Sequence, residues 1–230
     1  MKPGSLYFAR FPFVSFAFIA ICALMLPFTG SFPFIPQAFS EALSSCSWVL
    51  IAGGFFSMFS YMFLHNGFGH FAGNMFFVFM LGPSLEMALG HRLFAAFLIL
   101  SGFSAALFHF LLGGTPFIPL VGASGVVFAL ISVWLVSAPK AVMFQVPVLK
   151  VPVRFFWLAI LLFFVQINGV LFGPGPEGGD TTAYFVHIGG AISGIMLWIF
   201  CLAPLASARA ISDLEAGSDR SADKESTDKR

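Results

Sequence analysis

Long runs without a charged side chain constrain this sequence more than any other feature. Across residues 11–205 only eight charges occur: Glu41, Glu86, Arg92, Lys140, Lys150, Arg154, Glu177 and Asp180. Apolar runs of about 17–22 residues can cross the ~30 Å hydrocarbon core of a bilayer. Seven such runs are present, near 11–28, 48–64, 70–90, 93–112, 122–138, 155–172 and 184–205. Charged residues make up 9% of the chain and hydrophobic ones 59%, where soluble domains hold about 25% and 45–50%. The balance excludes a disordered chain, a nucleic-acid binder and an ordinary cytosolic enzyme, and it predicts a polytopic protein of the lipid bilayer. Residues 209–230 are the opposite case: six acids and five bases crowd into them, and residues 206–230 are expected to form a solvated cytoplasmic tail. Cys22, Cys46 and Cys201 are odd in number and widely spaced, so they imply neither a disulfide framework nor a metal site.

Positive charge decides which runs span. Lys and Arg concentrate in cytoplasmic loops, and Lys2 and Arg10 put residues 1–10 inside. If 48–64 does not cross, then Arg92, the group Lys140, Lys150 and Arg154, and Arg209 with the tail all fall inside. The outer loops 29–69, 113–121 and 173–183 then hold no Lys or Arg. If 48–64 does cross, Arg92 and the 140–154 cluster are thrown outside. Six spans fit and seven do not. The expected fold is all-α, with six transmembrane helices in residues 11–205 and 48–64 lying in the outer leaflet as part of the first outer loop. No small-x-small cleavage site follows Pro27-Phe28-Thr29-Gly30, so the first run is expected to be a retained span. The 140–153 segment, with Pro139, Pro147 and Pro152 around it, is expected to lie along the inner interface.

Hydrogen-bonding and ionisable groups inside a membrane are costly and mark functional sites. His70 and Asn74, four apart at the start of span two, share a helix face. Ser124 opens span four within Gly122-Ala123-Ser124-Gly125, and His187 lies in the first turn of span six. All three spans enter from outside, so these side chains sit at similar depth. Ser124 reads as a nucleophile and His187 as the base that takes its proton. His70, Asn74 and the Ser124 backbone N–H read as donors to an oxyanion. Gly122 and Gly125 leave room for a substrate backbone beside Ser124. Gly190 and Gly194, three and seven residues after His187, would let span six pack closely on span four. No acid within the spans is placed to complete a triad, so a Ser–His dyad with an imidazole held by packing is expected. Gln166 and Asn168 in span five are expected to make interhelical hydrogen bonds. His109 is the one other intramembrane base, without glycine neighbours, and a structural role is expected for it. His91, beside Arg92 in the inner turn, reads as interfacial.

These stretches resemble the rhomboid family of intramembrane serine proteases. The resemblance is carried by His65-Asn-Gly-Phe-Gly-His70-Phe-Ala-Gly-Asn74 and Gly82-Pro-Ser-Leu-Glu86-Met-Ala-Leu-Gly90. It continues in Gly122-Ala-Ser124-Gly125 and His187-Ile-Gly-Gly190-Ala-Ile-Ser-Gly194, and covers roughly 50–205. It implies Ser124 as nucleophile, His187 as base, and His70 and Asn74 around the oxyanion. It also implies a structural role for His65 in tying the outer loop to span two, and for Glu86 in hydrogen bonding at the inner end. Many members carry a Trp-Arg pair in the first outer loop where this chain reads Phe56-Ser57. Some carry a Tyr four residues after the serine; here it is Phe128, whose ring can pack on His187 without a hydrogen bond.

The reading that follows is a serine endopeptidase that cuts single-span membrane proteins near the outer end of their transmembrane segment. Substrate carbonyls are hidden in helical hydrogen bonds, so helix breakers near the cut are expected; a small residue there is implied by the resemblance. No cofactor, metal or nucleic acid is implied. The expected location is a prokaryotic inner membrane with both termini in the cytoplasm. The alternative is a rhomboid-like pseudoprotease that binds transmembrane clients without cleavage. A metal site built on His65, His70 and His187 is disfavoured, because His65 and His70 stand about 140° apart around a helix and no intramembrane carboxylate lies near them.

Overall fold

The computed structural model describes residues 11–28, 30–112, 117–137, 142–145, 152–172 and 183–204. The N-terminus 1–10, the tail 206–230 and the Gly173–Gly179 segment lie outside the described residues. The helices are α1 Phe13–Met25, α2 Pro36–Ser44, α3 Trp48–Ser60, α4 Phe68–Leu89, α5 His91–Leu111, α6 Ser124–Ser137, α7 Phe155–Phe172 and α8 Tyr184–Leu197. Short 3-10 turns extend α1 and α3, and a π turn carries α8 on to Leu202. Three stretches, Phe68–Leu89, His91–Leu111 and Tyr184–Leu202, are long and apolar enough to cross a membrane on their own. The 22 residues of α4 span about 33 Å at ~1.5 Å per residue. Phe13–Phe28, Trp48–Phe63, Ser124–Ser137 and Phe156–Gly169 are shorter apolar helices.

Helix α6 is the centre of the bundle. Every residue from Gly125 to Val133 is buried, as befits a helix that is apolar on all sides. α8 lies along α6 and α5, α1 along α4, and α7 leans lightly on α6 and α8. Trp157, Leu161, Phe164 and Val165 of α7 are exposed, as expected of side chains that face lipid. Gly90 alone separates α4 from α5. Its φ of 78° is left-handed backbone that glycine adopts without strain, and its N–H closes α4 onto Glu86 O at 2.6 Å.

Between α1 and α4 lies a helical hairpin, α2 and α3. Pro36 starts α2 at its first turn, where a missing N–H costs nothing. Gly54 lets the two helices meet, since a Cβ there would overlap the Phe39 ring. Phe39 also packs edge-on against Phe55 and Phe110, with both ring centroids at 5.2 Å. Trp48, Val49 and Leu50 on α3 remain exposed. Val142–Gln145 and Pro152–Arg154 pair as a short antiparallel ribbon, with Val142 opposite Arg154 and Gln145 opposite Pro152. Prolines exclude helix there, and Pro152 stands at the start of its strand, where its missing donor is tolerated.

Glu86 fastens α1 to α4. Its carboxylate is 1% exposed and accepts the N–H groups of Val14 and Ser15, each at 2.8 Å, and the Ser15 hydroxyl at 2.7 Å. The first N–H groups of a helix have no intrahelical acceptor, so a carboxylate from a neighbouring helix serves as the cap of α1. His91 Nδ1 reaches the same carboxylate at 2.5 Å, so His91 is an anchored residue where the sequence reads only an interfacial one. Glu86→Ala strands three donors and is expected to cost about 3 kcal/mol, whereas Ser15→Ala is expected to cost about 1 kcal/mol. Thermal unfolding of both variants in detergent micelles checks the difference.

Candidate active site

Ser124 is the first residue of α6. The segment before it is pinned from outside the helix. Gly122 N–H donates to Tyr61 O at 3.0 Å, and Ala123 N–H reaches His65 Nε2 at 3.4 Å. The first bond within α6 runs from Val127 N–H to Ala123 O at 2.9 Å, so the Ser124 N–H has no acceptor in its own helix. Gly122 has φ +113°, a conformation open to glycine and rarely to other residues. A Cβ at this position would lie 2.6 Å from His70 Nε2 and 3.4 Å from Asn74 Nδ2. With no Cβ at Gly122, the His70 ring and the Asn74 amide of α4 come down onto the backbone two residues before Ser124.

Both side chains bring a donor to this point. Asn66 N–H donates to His70 Nδ1 at 3.4 Å; a ring nitrogen that accepts leaves the proton on the other, so Nε2 is the donor. Asn74 is 8% exposed, and its Nδ2 is buried with no hydrogen-bond partner among the described residues. Leaving a buried donor unpaired costs about 1–3 kcal/mol, and such a group needs an explanation. His65 is fully buried, with ring centroids 5.3 Å from His70 and 5.6 Å from Phe71. Burial, and then the neighbouring His70, lower its pKa to about 4, so it is neutral and can accept the Ala123 N–H. Tyr61, not singled out in the sequence, braces the same region: its buried hydroxyl donates to Gly102 O at 2.8 Å.

His187 arrives from α8. Its ring stacks on Phe128 with centroids 4.6 Å apart and planes at 16°. Phe128 follows Ser124 by four residues, on the same helix face, so the imidazole packs on the face of α6 that carries the serine. The Ser124 hydroxyl itself has no hydrogen-bond partner among the described residues; such bonds often form only once substrate is bound. The approach of α8 depends on glycine. A Cβ on Gly190 would collide with the Gly125 carbonyl, and one on Gly194 would lie 2.7 Å from Ala129 Cα and from Ser132 Oγ. The space beside Gly125 is not open to a substrate, which corrects the sequence reading. Ala105 Cβ, Val186 Cγ1 and Tyr61 Oη already fill it, 2.7–3.1 Å from where a Cβ would stand. Gly190→Ala is expected to destabilise by about 1–3 kcal/mol and to lower activity with it. Gly53→Ala, where a Cβ meets nothing within 4 Å, is the matched control and is expected to be neutral in both assays.

Two polar residues of α7 part company. Gln166 Oε1 accepts from His187 Nδ1 at 2.5 Å, an interhelical bond whose partner is not legible in the sequence. Asn168 bonds its own helix instead, at Phe164 O and 2.9 Å, because its amide reaches back one turn. His109 is 1% exposed, and both ring nitrogens lack a hydrogen-bond partner among the described residues. Among the described residues no His, Cys, Asp and Glu cluster suits a metal ion.

A family model described as the Rhomboid domain matches residues 52–204. No curated protein matches the chain.

Proposed function

The chain belongs to the rhomboid family, and from that premise we propose that it is an active intramembrane serine endopeptidase with Ser124 as nucleophile and His187 as base. The observation that carries this reading is the convergence at Gly122. His70 Nε2 and Asn74 Nδ2 meet over Gly122, two residues before Ser124, whose own N–H has no acceptor in its helix, and among the described residues Asn74 Nδ2 is buried with no hydrogen-bond partner. A tetrahedral oxyanion is the acceptor such a set suits. A merely structural asparagine would be paired.

Ser124 Oγ attacks a peptide carbonyl while His187 takes its proton. The oxyanion is held by the three donors. His187 then protonates the departing amine, and water, deprotonated by the same imidazole, hydrolyses the acyl-enzyme. Substrates are single-span membrane proteins whose helix is broken near the cut. The membrane frame is six spans, α1, α4, α5, α6, α7 and α8, with the α2–α3 hairpin in the outer leaflet. The absence of Lys and Arg from 29–69 supports it, as does the exposed apolar face of α3. In this frame the site opens to the outer face, both termini are cytoplasmic, and the membrane is a prokaryotic inner membrane.

A fluorophosphonate probe on the detergent-solubilised full chain tests the dyad. Wild type is expected to be labelled, and His187→Ala to be labelled at background. Absence of labelling in a folded wild type would overturn the protease reading and favour a client-binding pseudoprotease.

A further inference from the structure

We infer that Gln166 is a positioning residue for the base, fixing the tautomer of His187 in a site that has no carboxylate to do so. The inference rests on the protease reading given above. An amide oxygen accepts and never donates, so the 2.5 Å contact of Gln166 Oε1 with His187 Nδ1 requires the proton on Nδ1. The other nitrogen, Nε2, is then left with a free lone pair, the form a general base must have. In serine hydrolases with a triad a buried acid performs this service. Among the described residues no acid is placed to do so. Glu86 is engaged with α1 and His91 at the far end of α4, and Glu41 lies in the α2 helix of the outer loop.

Three features make Gln166 suited to the task. It is buried, at 8% exposure, so water does not compete for the imidazole. It is neutral, which avoids placing a bare charge in the membrane, where ionised groups are costly. The ring is also clamped on its face by Phe128, so stacking sets the plane of the imidazole and the amide sets its rotation and tautomer. Stacking alone leaves both tautomers open. The hydrogen bond also crosses from α8 to α7. The orientation of the base is thereby tied to the seating of α7.

The test compares wild type, Gln166→Leu and Gln166→Glu in the full chain. Leu keeps the bulk and removes the acceptor. Glu keeps an acceptor oxygen at the same reach. Two readouts are taken: the rate of covalent labelling by a fluorophosphonate, resolved into kinact and KI, and the ring-nitrogen shifts of histidine in 15N-His protein. In wild type His187 is expected to show a protonated Nδ1. In Gln166→Leu that signal is expected to be lost, with kinact lower by about 10²-fold, the lower end of what general-base catalysis supplies, and KI unchanged. Gln166→Glu is expected to recover kinact to within about threefold, since a carboxylate oxygen accepts the same bond. A Leu variant that keeps the wild-type tautomer, or labels at the wild-type kinact, overturns the inference and leaves the protease reading intact. A wild type that never labels overturns the protease reading, and in that case the nitrogen shifts alone decide whether Gln166 holds the ring.

Discussion

Ser124→Ala is expected to lower peptide-bond cleavage by at least about 10⁴-fold, the order seen when a serine hydrolase loses its nucleophile. The fold should not suffer. Ser124 is half-buried and its hydroxyl has no hydrogen-bond partner among the described residues, so its removal strands nothing. The variant should therefore express, purify and unfold as wild type does. That separation is the value of the experiment, because in this bundle many other substitutions near the site also disturb packing. Product formation from a transmembrane reporter and a thermal unfolding curve, measured on the same preparation, report the two quantities independently. Equal cleavage by wild type and variant would assign the nucleophile elsewhere.

Asn74→Ala is the second large effect. Loss of one oxyanion donor is expected to lower kinact or kcat by about 10²–10³-fold, equivalent to ~2.7–4 kcal/mol of transition-state stabilisation. Binding should change little, since the interaction forms only as the oxyanion does. Stability is expected to hold or to rise slightly, because the buried Nδ2 has no partner among the described residues and burial without one is costly. An asparagine that merely joined helices would give the reverse pattern, a lower unfolding temperature with near-normal kinact. Kinetic and thermal measurements on Asn74→Ala distinguish the two.

Much of this arrangement is legible in the residues themselves. Glycines at 190 and 194 lie on one helix face, the usual mark of close helix approach in membranes, and α8 meets the backbone of α6 at both. Positions four apart, such as His70 and Asn74 or Ser124 and Phe128, share a face by helical geometry alone. What spacing does not convey is which partner a polar group finds across helices. Gln166 and Asn168 look alike in the sequence, two amides in one apolar run. One bonds His187 and the other its own helix, a distinction set by the rotation of α7 about its axis. His91 is similar. Its neighbour Arg92 suggests an interfacial turn, but the left-handed Gly90 brings it back onto Glu86.

The α2–α3 hairpin is the least legible part. Gly53, Gly54, Ser57 and Ser60 interrupt an apolar run in the sequence, and all four fall within α3. The reason is local. Gly54 is a contact point for Phe39, Ser57 Oγ donates to Gly54 O one turn back, and Ser60 Oγ donates to Phe32 O. Small polar residues are thus absorbed within the hairpin, and the lipid-suited face of α3 falls to Trp48, Val49 and Leu50. Gly125 teaches the same point in reverse: a glycine beside a reactive serine suggests room for substrate, yet its space is occupied by three neighbouring side chains.

Cleavage in a bilayer tests the central claim most directly. The full chain is reconstituted in proteoliposomes with a single-span reporter whose helix is broken near its outer end. The products are separated and the new N-terminus is sequenced. One cut is expected within the outer part of the reporter's span, present with wild type and absent with Ser124→Ala. Recovery of intact reporter bound equally to wild type and Ser124→Ala would contradict it and identify a protein that holds transmembrane clients without cutting them.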